Sequence, residues 1–316
     1  MLSLRNYILV VVALPLVSCL TFVAWDLFSF VSQCSAQGYS SDRFLAYCES
    51  KQYGDYEHGA YFLQTEPQAV ASLKQADIVF LGDSRIQHAF STEATKSFFS
   101  NRAGQNYYLL GFGFSENYTF PLALIKKLKL SPKVLIVGVD ERFFRQTKSP
   151  VAFFVENQRG ARTNYEAKII KQSLHRLLCD DGGALPFRCG AFGSTFRSRT
   201  NGFWYTDRLQ TSIHQAFESP TLADPALVAA LVVGGKDFIE RLDHQKRCVI
   251  FVSPPVPNWS SASAAQIADA LGVRFIPGPI GKWVSTDGSH LEPESAEVWS
   301  KEVLDNLAPA LSACGA

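Results

Sequence analysis

Three polar side chains carry the chemistry that acyl transfer needs. In "DIVFLGDSRIQHAF", Asp77 to Phe90, an apolar run ends at Gly82, Asp83 and Ser84 and gives way to a helix-like segment. A serine at such a turn either caps the helix or lifts its hydroxyl to the rim of a sheet, beside backbone N–H groups. Near the other end, "STDGSHLEPESAEVW" places Asp287 and His290 three residues apart before a second helix-like segment. A carboxylate that fixes an imidazole tautomer, and an imidazole that faces a serine, are the orienting acid and base of a hydroxyl nucleophile. The plainer alternative is a turn aspartate and a histidine near a helix start. His58, His175, His214 and His244 have no comparable carboxylate after a strand. His88, one helical turn beyond Ser84, is a rival base but reads as decoration of the helix surface.

Other chemistries lack their motifs. The chain has no G-x-x-x-x-G-K-[ST], no H-E-x-x-H and no G-x-S-x-G, and "GFGFSE" (Gly111, Gly113) lacks the third glycine of a dinucleotide site. No C-x-x-C spacing suggests zinc or a redox dithiol, so no cofactor or metal is expected. With 30 Lys and Arg against 29 Asp and Glu, the net charge is +1. Neither this balance nor any local basic motif points to nucleic acid.

The elements that must position these residues show in the apolar pattern. In 316 residues, 47% hydrophobic, short Val-, Ile- and Leu-rich runs recur: "DIVFL" (77–81), "NYYLL" (106–110), "KVLIVGV" (133–139), "RCVIFV" (247–252) and "GVRFI" (272–276). Each is nearly continuous, as expected for strands covered on both faces. Helix-like segments fall at 86–100, 114–130, 261–271 and 293–312. The alternation predicts a three-layer α/β/α sandwich around a parallel sheet of about five strands, with chemistry at the carboxyl ends of the strands. Residues 142–246 interrupt the rhythm and read as an insertion or lid within a domain spanning 76–316. They hold the aromatic and basic stretch "FGSTFRSRTNGFWYTDR" (192–208) and an apolar helical pattern near 222–242.

These pieces, in this order, resemble the SGNH or GDSL-type hydrolase superfamily, whose sheet is flavodoxin-like. Gly82-Asp83-Ser84 matches its first block, a glycine after the second strand its second, G-x-x-[DE] from Gly138 its third, and D-x-x-H from Asp287 its last. "FVSPPVP" (251–257) resembles a proline-bearing segment common there. The resemblance implies Ser84 as nucleophile, His290 as base and Asp287 as orienting acid. It further implies an oxyanion hole of the Ser84 and Gly111 N–H groups, Gly113 being the alternative under a shifted alignment. The family's third block supplies a side-chain amide where this chain has Asp140, an oxyanion repellent if ionised. Asp140 is expected to be protonated, or bound by a residue such as Arg142, or replaced as donor by Asn117. Arg85 is expected either to offset Asp140 or to hold an anionic substrate. Trp204, with Phe203 and Tyr205, either stacks on a sugar or packs in the core.

The N-terminus sets the expected location. Tyr7–Trp25 is uncharged, follows Arg5 and ends at Asp26, and as a helix would span about 28 Å, close to a bilayer core. It reads as a transmembrane anchor (1–26) followed by a juxtamembrane stretch (27–75), with the domain outside the inner membrane by the positive-inside bias. A cleaved signal peptide, or a lipoprotein modified at Cys19, stays open. Without Cys19 six cysteines remain, and Cys34 with Cys48, Cys179 with Cys189, and Cys248 with Cys314 form a pairing scheme suited to an oxidising compartment. The expected role is an extracytoplasmic serine esterase or O-acyltransferase on a cell-envelope glycan, with a membrane-bound acyltransferase as a partner. A weakly catalytic assembly subunit and a lipid-directed esterase are the alternatives.

Overall fold

The computed structural model describes residues 15–18, 44–48, 56–102, 104–113, 116–175, 194–206, 214–242 and 247–316. The chain forms β1 (Phe44–Cys48), α1 (Tyr56–Phe62) and α2 (Pro67–Gln75), then alternates: β2 (Ile78–Asp83), α3 (Ser84–Ala89), α4 (Thr92–Ser100), β3 (Tyr107–Phe112), α5 (Thr119–Leu128) and β4 (Val134–Gly138). The long interval holds α6 (Phe153–Glu156), α7 (Gln158–His175), β5 (Ser194–Ser198), β6 (Trp204–Thr206), β7 (Gln215–Glu218) and α8 (Pro225–Leu242). Then come β8 (Cys248–Val252), α9 (Ser261–Leu271), β9 (Arg274–Ile276), β10 (Lys282–Ser285) and α10 (Pro293–Ala313).

The central sheet is parallel, in the order β3-β2-β4-β8-β9. Its strands read as continuous apolar runs because both faces are covered. The pleat sends Val79 and Leu81 into a core with α1, α2, α5, α8 and α9, while Ile78 and Phe80 enter a second core with α3, α4 and α10. The chain reverses direction across the sheet at β2 and β4, and the crevice outside the carboxyl ends of such strands is where open α/β sheets bind ligands. Ser84 follows β2 and Asp140 follows β4, one on each side of that crevice.

Several segments differ from the sequence-based expectation. The 86–100 helix is two helices, because Ser91 accepts a hydrogen bond from the Ala94 N–H and starts α4 as its N-cap. Residues 56–75, which show little periodicity, are α1 and α2. Their Tyr61, Phe62, Val70 and Leu73 are buried in the first core, and α1 is too short to display a helical repeat. The apolar pattern near 222–242 is α8, which packs against α5 and α9 as an ordinary layer helix. β5 and β6 join β1 in a small antiparallel sheet, and β7 pairs with β10.

Cys248 and Cys314 are disulfide-linked, with Cα atoms 5.8 Å apart, and tie the start of β8 to the end of α10. The Cys179–Cys189 pairing and Cys34, the expected partner of Cys48 in β1, fall outside the described residues. Of the Tyr7–Trp25 run only residues 15–18, a helical turn, are described. No helix among the described residues is long and apolar enough to cross a membrane.

Candidate active site

Three glycines bring α3 down onto the sheet. Gly82, Gly111 and Gly138 end three neighbouring strands, and a Cβ on any of them would press on the Ile86 side chain, at 3.1, 2.7 and 3.0 Å respectively. Ile86, 1% exposed, plugs this floor. At Gly111 a Cβ would also come within 2.5 Å of the Asp83 carbonyl oxygen, so only glycine lets β3 run this close to the serine turn. Asp83 caps α3 by accepting from the Arg85 N–H at 2.8 Å, and Ser84 is the first residue of the helix. Its own N–H has no helical carbonyl one turn back.

The segment from Asp287 to His290 is a closed turn. Asp287 Oδ1 accepts from the Ser289 and His290 N–H groups, both at 2.9 Å. Ser285 Oγ accepts from the Gly288 N–H at 2.7 Å, and the His290 carbonyl accepts from the Thr286 N–H at 3.0 Å. Gly288 has φ +80°, the left-handed conformation that a side chain resists. This Asx turn is why the spacing is D-x-x-H: one carboxylate oxygen builds the loop and the other is left for the imidazole.

His290 Nδ1 lies 2.6 Å from Asp287 Oδ2, and His290 Nε2 lies 2.7 Å from Ser84 Oγ. The ionised carboxylate only accepts, so Nδ1 carries the proton and Nε2 accepts from the serine hydroxyl. Burial pushes the Asp287 carboxyl up, but the His290 hydrogen bond and charge, with two backbone N–H groups, outweigh it and hold the acid below the usual carboxylate range. Ser84, His290 and Asp287, distant in sequence, thus form one hydrogen-bonded relay.

No protein-family model matches the chain, and no curated protein matches it in sequence. Among solved structures it is similar to an acetyl xylan esterase from the rumen bacterium Butyrivibrio proteoclasticus. The identity is 12% and the TM-score 0.35, over 74% of this chain and 64% of that one, so the match spans less than two thirds of that protein's length.

Of the two expectations for Arg85, the structure shows the one in which it offsets Asp140. Asp140 Oδ1 accepts from the Arg142 and Phe143 N–H groups, both at 2.8 Å, and Oδ2 from Arg85 Nη1 at 2.7 Å. Arg85 also donates to Glu141, at 2.6 and 2.9 Å, and from Nε to Ser289 Oγ at 3.3 Å. It is 5% exposed. Its guanidinium is therefore spent on joining the serine turn, the loop after β4 and the Asp287 turn, and is not offered to an anionic substrate. The Asn117 amide, the other expected donor, is turned to the carbonyl and hydroxyl of Thr147. The Gly113 N–H donates to Glu57 Oε1 at 3.3 Å, and Gly111 pairs with Gly82 across β3 and β2.

Asp83 completes this cluster. Burial, then the charge of Asp140, raises its carboxyl well above the usual range. Its second oxygen, Oδ2, is buried and accepts no hydrogen bond, an environment that favours the protonated carboxyl.

His88 does not decorate the helix surface. Its ring centroid is 4.4 Å from that of His290, and the Trp204 indole meets it edge-on at 5.7 Å. Burial, then the neighbouring His290, lowers its pKa well below the ordinary histidine value, and it stays neutral. Trp204 is half-buried and donates from Nε1 to Glu57 Oε2 at 3.1 Å, Phe203 is core, and Tyr205 packs against that core.

The charges that hold Trp204 have no signal in local spacing. Arg197 and Glu57, 140 positions apart and both fully buried, pair at 2.7 Å. Arg197 also donates to the carbonyls of Gly111 at 2.8 Å and Leu109 at 2.5 Å, and Gln87 to the same two. These are edge carbonyls of β3, the outermost strand, whose Leu109 N–H is met by the Asn201 carbonyl at 2.8 Å. A strand edge that would otherwise be unpaired is thus answered by a buried guanidinium. Among the described residues no three His, Cys, Asp or Glu side chains could hold a metal ion.

Proposed function

We propose that this chain is an extracytoplasmic serine esterase or O-acyltransferase of the SGNH type, acting on an ester of a cell-envelope polysaccharide. The observation that carries the reading is the unbroken relay from Ser84 Oγ through His290 to Asp287. Ser84 Oγ attacks the ester carbonyl as its proton passes to His290 Nε2, and the imidazolium so formed is stabilised by Asp287. Collapse of the tetrahedral intermediate breaks the bond to the leaving alkoxide, which takes the proton from His290 and leaves an acyl-Ser84 ester. Water or a sugar hydroxyl, deprotonated by His290, then attacks that ester and restores the serine. The Ser84 N–H and the glycine floor at Gly111 are the oxyanion-side elements of this scheme. Trp204, beside His88, is the surface offered to a sugar ring. In the same proposal residues 1–26 anchor the domain on the periplasmic or extracellular side, and a membrane-bound acyltransferase supplies or receives acyl groups.

A fluorophosphonate probe tests the assignment. The purified full chain is expected to be labelled, and Ser84→Ala to abolish the label. Labelling that survives the substitution overturns the role of Ser84.

A second reading is favoured by the state of Asp140. With that carboxylate locked to Arg85 and Asn117 turned to Thr147, no side-chain amide stands at the end of β4 to share the oxyanion, a loss typically costing about 10²–10³ in rate. On this reading the chain is a weakly catalytic binding or assembly subunit of an envelope polysaccharide machine. A strain carrying Ser84→Ala then makes polymer like the wild type while a deletion strain does not, whereas an enzyme loses function in both.

A further inference from the structure

A second concavity opens on the same rim, away from the relay. It lies beyond the carboxyl ends of β8 and β9 and has a volume of about 420 Å³, within the range of ordinary ligand sites. By strand spacing it sits about 10–15 Å along the rim from β2, so it is not the space around Ser84. The indoles of Trp259, Trp283 and Trp299 form its inner walls, with Pro254 and Pro279 beside them. All three tryptophans are buried.

The chemistry of the lining selects an occupant. No charged side chain lines the cavity. Three of its serines are engaged by the protein itself: Ser253 Oγ accepts from Trp259 Nε1 at 2.9 Å, Ser219 Oγ donates to the Val256 carbonyl at 3.0 Å, and Ser260 Oγ accepts from the Ala262 N–H at 3.1 Å. A sugar or an ion seated there would surrender water hydrogen bonds without replacement in the depth of the cavity. An aliphatic chain surrenders none. A separate feature points the same way. Ile280, which lines the cavity, is 93% exposed, and Leu222, next to the lining residue Thr221, is 83% exposed. Large apolar side chains held open at the rim of an apolar cavity extend its contact with a chain entering from outside.

We propose that this cavity is a binding site for a single uncharged aliphatic chain, such as the tail of a lipid-linked molecule. One wall, Trp283 on β10, continues through Ser285 into the Asp287–His290 turn, so an occupied pocket abuts the strand that carries the relay's acid and base. The inference does not rest on serine chemistry.

The test uses the full chain in digitonin, which presents a rigid steroid instead of a free alkyl chain. The probe is decanol bearing a diazirine, photolysed and mapped by peptide mass analysis. Label is expected in the peptides carrying 253–261 and 277–283. Ala265→Phe, which places a ring in the cavity, is expected to reduce it at least tenfold. Should that variant unfold, Ile280→Ser, at an exposed lip position, is expected to reduce it about fivefold, roughly the worth of one exposed apolar contact. Ser84→Ala is expected to leave it unchanged, which separates failure of this site from failure of the esterase reading. Label confined to other peptides, or label in these peptides that neither variant reduces, overturns the proposal. So does a neutral diazirine glycoside that marks these peptides as strongly as the alcohol.

Discussion

The two ends of the sheet's carboxyl rim are built on opposite principles. At the β3 end, polar edge groups are met by buried charge from a distant segment: Arg197, paired with Glu57 beneath Trp204, donates to the Leu109 and Gly111 carbonyls. At the β8 and β9 end, serine hydroxyls satisfy local backbone and indole groups, leaving an uncharged volume. The first arrangement fixes backbone positions, because a desolvated guanidinium tolerates little displacement from its acceptors. The second leaves space that a ligand can fill. The Ser84 relay lies between them, so a rigid side and a receptive side flank one nucleophile.

The largest effect is expected where the relay itself is cut. Asp287→Asn keeps the size of the side chain but removes the charge that holds the His290 proton on Nδ1, and fluorophosphonate labelling is expected to slow by about 10⁴-fold. Next comes the rigid side. Arg197→Met leaves Glu57 buried without its counter-charge and leaves two β3 carbonyls with Gln87 alone as donor, an expected loss of about 3–5 kcal/mol by denaturant unfolding. Combining it with Glu57→Gln removes the orphaned charge and is expected to recover part of that loss. If the single substitution is neutral, the contrast between the two ends is false. Smaller still, Gly138→Ala crowds Ile86 on the glycine floor and is expected to cost about 1–3 kcal/mol.

What could be read from the sequence follows the range of the interactions. The five strands show because a parallel sheet covered on both faces needs uninterrupted apolar runs, and the D-x-x-H turn shows because Asp287 builds it from its own neighbours. The break between α3 and α4 was also local, in Ser91, but a continuous apolar pattern across 86–100 masks a cap. His88 is illegible for a different reason: six residues of helix do not define a face, and only the approach of the Asp287 turn and Trp204 turns that side inward. Glu57 with Arg197, and Arg85 with Glu141, join segments whose proximity is decided by the whole topology. Nothing in their spacing announces it. The same holds for the tryptophans of the apolar cavity, which look like three unrelated core residues until the segment after β8, β10 and α10 line one concavity.

The finest distinction concerns two carboxylates near the serine that respond to pH with opposite sign. Asp287 has its pKa lowered in the fold, so its contribution to stability is present above the ordinary carboxylate range and is lost as pH falls through the folded value. Asp83 has its pKa raised, by burial and then by Asp140. The folded chain therefore holds a proton that the unfolded chain has released, and Asp83's contribution is full below about pH 4 and fades as pH rises towards its folded value. The groups whose charge acts on it are Asp140, which raises it, and Arg85, which lowers it and whose side chain joins Asp140 to Glu141. Asp83→Asn offers the same acceptor to the Arg85 N–H and a donor to Asp140, with nothing to titrate. It is expected to fold as well as the wild type near neutral pH and to lose stability less steeply between about pH 4 and 8, measured as the denaturant midpoint across that range. Parallel curves for the two proteins would mean that Asp83 stays ionised in the folded chain.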